Sequence, residues 1–127
     1  MNTSQKTNKH IFEHPERFTV CNLEFPCGDR FVGKIASCTF VGHQLTLVIE
    51  RMVKVVETES GTLATQKEDK VYENYTLVFD GCRITENETS PTTTLVRSLI
   101  GDVIILSMDS DIVAEVIGLL EEQSVVK

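Results

Sequence analysis

Apolar and polar residues alternate over most of the chain from about residue 17 to residue 84, and a period of two is the signature of extended backbone with one face turned inward. RFTVCNLEF (17 to 25) places Phe18 and Val20 in one phase and Cys21, Leu23 and Phe25 in the other, which predicts a strand with a bulge near Val20 or Cys21. PCGD (26 to 29) has the composition of a turn. It leads into DRFVGKIASCTF (29 to 40), rich in β-branched and aromatic residues, the second strand. Gly42 and His43 then separate two apolar runs closely enough for a two-residue hairpin turn, with Gly supplying the positive φ. QLTLVIERMVKVVE (44 to 57) reads as a long third strand carrying Leu45, Leu47, Ile49, Val53 and Val55 on one face, with Arg51 as the exception. Its length predicts that it bends across two faces of the fold.

TESGTLATQKEDK (58 to 70) is a polar loop, and VYENYTLVFDGCRI (71 to 84) is a fourth strand that pairs antiparallel with the third. In it Tyr75, Leu77 and Phe79 share one face, Val78, Cys82 and Ile84 the other, and Asp80–Gly81 bulges or ends the strand. After a second polar loop (85 to 94), LVRSLIG suits either a helical turn capped by Thr94 or a strand. GDVIILSM (101 to 108) suits a buried strand. From 111 to 123 the apolar residues Ile112, Val113, Val116, Ile117 and Leu120 recur at helical spacing behind a cap at Ser110 or Asp111. The fold class expected is mainly β or α+β: an antiparallel strand meander forming a small sandwich or partly open barrel, closed by a C-terminal helix. Residues 1 to 14 read as a flexible N-terminal tail, and 15 to 127 as a single β-rich domain.

With 127 residues, 41% of them hydrophobic and 24% charged, the chain has the size and composition of one ordinary globular domain. No apolar run approaches the roughly 20 residues of a membrane-spanning helix, and the polar start MNTSQKTNKH lacks the apolar stretch of a secretory signal. The chain is therefore expected to be soluble and cytoplasmic, with no membrane partner. Its cysteines (Cys21, Cys27, Cys38 and Cys82) are then expected to be free thiols, and the sequons at Asn2, Asn74 and Asn87 carry no glycan. The net charge of −7 is uneven: residues 57 to 88 hold eight acids against three bases, and 101 to 127 hold six against one. Such a surface repels phosphate backbones, which excludes nucleic acid as a partner.

No chemical motif meets the spacing its chemistry requires. His10, Glu13 and His14 match the H-x-x-E-H pattern of inverted zinc metallopeptidases, but Pro15 follows at once and no adjacent helix offers a third ligand. His10, His14, Cys21 and Cys27 are all able to ligate zinc, yet Cys21 and Cys27 are too far apart for a knuckle. Asp109 and Asp111 open like a calcium loop, but Ala114 and Leu120 stand at its glycine and glutamate positions. Ser37, Thr39 and Gly42, following Gly33 and Ile35, resemble the D-x-S-x-x-G stretch of PilZ domains, small barrels that bind cyclic dinucleotides. Ser37 stands where that pattern has Asp, and Arg17 alone stands for its upstream arginine pair, so the ligand is not carried over.

No catalytic residue, metal or cofactor is assigned. The reading reached is a non-enzymatic interaction domain, of adaptor, inhibitor or immunity type, that binds a protein partner through strand edges or an acidic face and can also form a homo-oligomer. The alternative is a small-ligand-binding barrel with weak enzymatic activity, its ligand held by Cys38, His43, Tyr72 and Tyr75.

Overall fold

The computed structural model describes residues 14 to 65, 71 to 85 and 90 to 124. A single 3-10 turn at Pro15–Arg17 leads into β1 (Val20–Glu24), β2 (Arg30–Val41) and β3 (Gln44–Glu57). Two-residue β4 (Leu63–Ala64) follows, then β5 (Val71–Phe79), β6 (Arg83–Thr85), β7 (Thr93–Arg97), β8 (Val103–Ser107) and a C-terminal helix, α1 (Ser110–Ser124). The strands form one antiparallel sheet in the order β4-β3-β2-β1-β8-β7-β6, with β5 also paired to β3. This sheet curls into a half-barrel. Its two ends meet in the chain itself, because β5 beside β3 runs into β6 beside β7 through the corner Asp80–Cys82.

Two apolar clusters hold the fold. Inside the curl lie Leu23, Leu45, Leu47, Ile49, Ile104 and Leu106, all wholly buried, with Cys21, Cys38, Met52, Phe79 and Cys82. On the outside, α1 lays Val116, Leu119 and Leu120 over Val20, Val32, Val53 and Val55. Each fully buried Leu, Ile or Val contributes about 1.5–3 kcal/mol.

The helix-covered outer face explains β1. Its pairing with β2 and β8 runs without a register shift from Val20 to Glu24, so the expected bulge at Val20 or Cys21 is absent. Val20 is buried outward under α1 and Cys21 inward, hence the change of phase.

The bulges are in the β2–β3 hairpin instead. Register shifts on either side of Ile35 leave Ala36 unpaired on β2 and Glu50 unpaired on β3. Leu45, Leu47 and Ile49 consequently face the barrel interior, whereas Val53 and Val55 face α1, and the single apolar face expected for the third strand is two faces. Each bulge turns the strand over by half a period.

Elsewhere the expectations meet the structure with smaller differences. Gly42 closes the hairpin with φ +64° between paired Val41 and Gln44, and Asp80–Gly81 ends β5. Residues 93 to 97 are strand rather than helical turn. The helix cap is Asp109, whose Oδ1 accepts from the backbone N–H groups of Asp111 (3.0 Å) and Ile112 (3.4 Å), ahead of both expected caps, Ser110 and Asp111. The expected tail, with His10 and Glu13, lies outside the described residues apart from His14. All four cysteines are unpaired thiols, and among the described residues no helix is long and apolar enough to cross a membrane.

Candidate functional site

The four residues expected to hold a ligand fall in three places. Cys38 lies on the interior face of β2 opposite Leu47, only 2% exposed. Burial, with a smaller push from the charge of Glu16, raises its thiol to about 12, so it stays protonated at neutral pH and is a poor nucleophile. Cys21 is likewise pushed to about 12 by burial, and burial raises Cys82 as well. His43 is exposed at the hairpin tip, where its carbonyl accepts the Cys82 N–H at 2.8 Å.

Tyr72 and Tyr75, both on β5, do meet: their rings stand edge to face with centroids 5.7 Å apart. They continue a row of rings, Tyr72 against Phe31 (6.1 Å), Phe31 against Phe25 (5.7 Å) and Phe25 against Phe79 (6.5 Å). No hydrogen bond, ion pair or ring contact joins Cys38 or His43 to either tyrosine among the described residues. Phe25, Phe31 and Tyr72 pack on the interior cluster, so the row is built into the barrel wall rather than aimed into an open chamber.

Two open features lie on the surface of the described residues. An apolar groove of about 200 Å³ runs between α1 (Ile112, Val116, Leu119) and the outer face of β1 and β8 (Val20, Ile105), smaller than the usual ligand site of roughly 300–1,000 Å³. A crevice of about 360 Å³ at the β1–β2 turn is lined by Asp29, Arg30, Lys54 and Glu57, and these charges already pair with one another. Among the described residues no group of three or more His, Cys, Asp or Glu side chains is placed to hold a metal ion.

Sequence reasoning missed the feature with the clearest physical demand. The turn from β7 to β8 is pinned from several sides: Ser98 Oγ donates to Asp102 Oδ2 at 2.6 Å and accepts the Asp102 N–H at 3.0 Å, and the Ser98 N–H donates to the Asp102 carbonyl at 3.0 Å. Asp102 is buried, and the Leu99 N–H donates to the Asp80 carbonyl at 3.0 Å. This locked turn holds Leu99 and Ile100 out into solvent, 78% and 75% exposed. Exposed Val41, at the hairpin tip, belongs to the same end of the barrel, since the corner Asp80–Cys82 bonds to both His43 and Leu99. The signal was available in Leu-Ile followed by Gly101, two large aliphatics where turns favour Gly, Asn or Asp. A reading of that segment as strand or helix hid it.

Comparison with protein families, with characterised proteins and with solved structures finds no match to this chain.

Proposed function

We propose that the chain is a non-enzymatic interaction domain that binds another protein through the barrel end formed by the β7–β8 turn, the β2–β3 tip and the neighbouring edge of β5. The observation that carries this reading is the pair Leu99 and Ile100. Two adjacent aliphatic side chains kept in water by a hydrogen-bonded turn contribute little to the fold, whereas burying each against a partner is worth about 1.5–3 kcal/mol. Because the turn is already fixed, little conformational entropy is lost on docking. The protonated, buried thiols of Cys21 and Cys38 and the apolar cluster inside the curl support binding over catalysis.

The test is photo-crosslinking in the native host from a probe at Val41, comparing wild type with a Leu99→Ser/Ile100→Ser variant. The wild type is expected to crosslink a discrete partner and the variant to lose it, while the melting temperature changes little because both side chains are exposed. A variant that captures the same partner as efficiently, or a wild type that captures none, would overturn the reading.

A further inference from the structure

We propose that β5 takes up an extended, basic segment of the partner protein by strand addition along the edge facing away from β3. This rests on the interaction reading above and names the mode and chemistry of binding. β5 is hydrogen-bonded to β3 from Leu45 opposite Phe79 to Val53 opposite Val71, and among the described residues it pairs with no other strand. A strand edge left this way presents backbone N–H and C=O groups at strand spacing, and what satisfies them in series is another strand. The start of the edge is interrupted by Asn74, whose φ of +55° is left-handed, which leaves Tyr75 to Phe79 as the regular stretch. Tyr75 and Val78 are about half exposed along it, and the turn bearing Leu99 and Ile100 abuts its far end through the bond to Asp80. An added strand thus finds apolar anchors beside it and at its end.

Charge selects the occupant. Glu73 and Asp80 bracket the stretch, in one of the two parts of the chain where acids clearly outnumber bases. Neither carboxylate forms an ion pair with another described residue, and Asp80 accepts only the uncharged amide of Gln44, at 2.8 Å. An incoming segment with Lys or Arg at both ends of an alternating apolar run matches both. A second copy of this chain matches poorly: edge-to-edge antiparallel pairing about an axis between Thr76 and Leu77 sets Glu73 against Asp80 twice, and like charges directly opposite are destabilising.

The test uses the full chain and two synthetic peptides of about nine residues, long enough to span the stretch at roughly 3.3 Å per residue. Both alternate Val and Thr; one ends in Lys at each terminus, the other in Glu. The Lys-ended peptide is expected to bind and to slow hydrogen exchange at the amides of Tyr75 to Phe79, and Glu73→Lys is expected to weaken it by about tenfold while favouring the Glu-ended peptide. Tyr75→Ser/Val78→Ser, which leaves the charges in place, is expected to weaken both. Equal binding of the two peptides, protection at α1 or elsewhere instead of β5, or a dimer in sedimentation that protects β5 without peptide would each overturn the proposal. If the peptides fail while the Leu99→Ser/Ile100→Ser variant still loses its crosslinked partner, strand addition falls and the interaction reading stands.

Discussion

The upper and lower halves of the β2–β3 hairpin are made of the same kinds of residue, but the upper half buries only its inner side and the lower half its outer side as well. From Leu45 to Ile49 the apolar side chains of β3 fill the barrel; from Val53 to Val55 they meet the helix outside it. Between the halves, unpaired Glu50 and Ala36 turn the strands over, and Arg51 lies on the outer side, its guanidinium 3.5 Å from the Leu120 carbonyl. The difference teaches that one long hairpin can serve two cores, provided each strand carries one extra residue at the crossing.

The most severe way to break this arrangement is to delete Glu50. One half of β3 must then turn over, sending Val53 and Val55 inward with Arg51, or Leu45, Leu47 and Ile49 outward. The expected loss exceeds about 5 kcal/mol, comparable with the whole stability of a small domain, and is read by urea unfolding followed by circular dichroism. A deletion variant with the wild-type midpoint would show that the bulge does not set the facing.

Point substitutions then weigh the two halves against each other. Leu47→Ala, in the interior, is expected to cost about 3–4 kcal/mol, and Val53→Ala, equally buried under the helix but a smaller truncation, about 2 kcal/mol. Equal losses, from the smaller truncation at Val53, would mean that the helix layer is packed more tightly than the barrel. Gly33 stands where the halves join, on the interior side opposite Met52. A Cβ there would come within 2.9 Å of both the Arg51 carbonyl and the Met52 Cβ, so Gly33→Ala is expected to cost about 1–2 kcal/mol in the same assay. A neutral Gly33→Ala would indicate that the bulged backbone yields easily.

The period-two alternation made the main strands, their antiparallel character and the mainly β fold class legible, because half-buried extended backbone leaves that mark whatever its tertiary setting; the pairing of β1 with β8 left no such mark. Facing was not legible, since a bulge restores alternation after shifting it: the polar Arg51 inside an apolar series was the visible trace, and it was read as an exception. In β1 the double phase was visible, but its cause was an outer layer supplied by the helix almost a hundred residues later. Among the candidate site residues, Tyr72 and Tyr75 are three apart, a spacing that puts them on opposite faces of a regular strand; their rings meet beside left-handed Asn74, an irregularity the sequence did not reveal. Cys38 and His43 were chosen for chemistry that burial and position, respectively, do not support. Leu99 and Ile100 were missed because composition shows a residue's greasiness and not which way a turn points it.

The interior thiols add a pH-dependent effect that reports on the barrel side alone. Cys21 and Cys38 lie inside the curl, and burial holds both near 12 against an ordinary thiol value of 9.0, whereas Cys27 is exposed on the β1–β2 turn. In the unfolded chain these thiols ionise once the pH passes 9.0; in the folded chain they keep their protons until about 12. Between those values the folded state holds more protons, so stability falls as pH rises, by up to about 1.4 kcal/mol per pH unit for each thiol, and below pH 9.0 they have no influence. Cys38→Ala is expected to start from a lower stability but to lose it less steeply between pH 9 and pH 11. Urea midpoints measured across that range decide the matter: a Cys38→Ala slope equal to wild type would mean that water reaches the barrel interior, and the contrast between a sealed inner core and a helix-covered outer one would have to be given up.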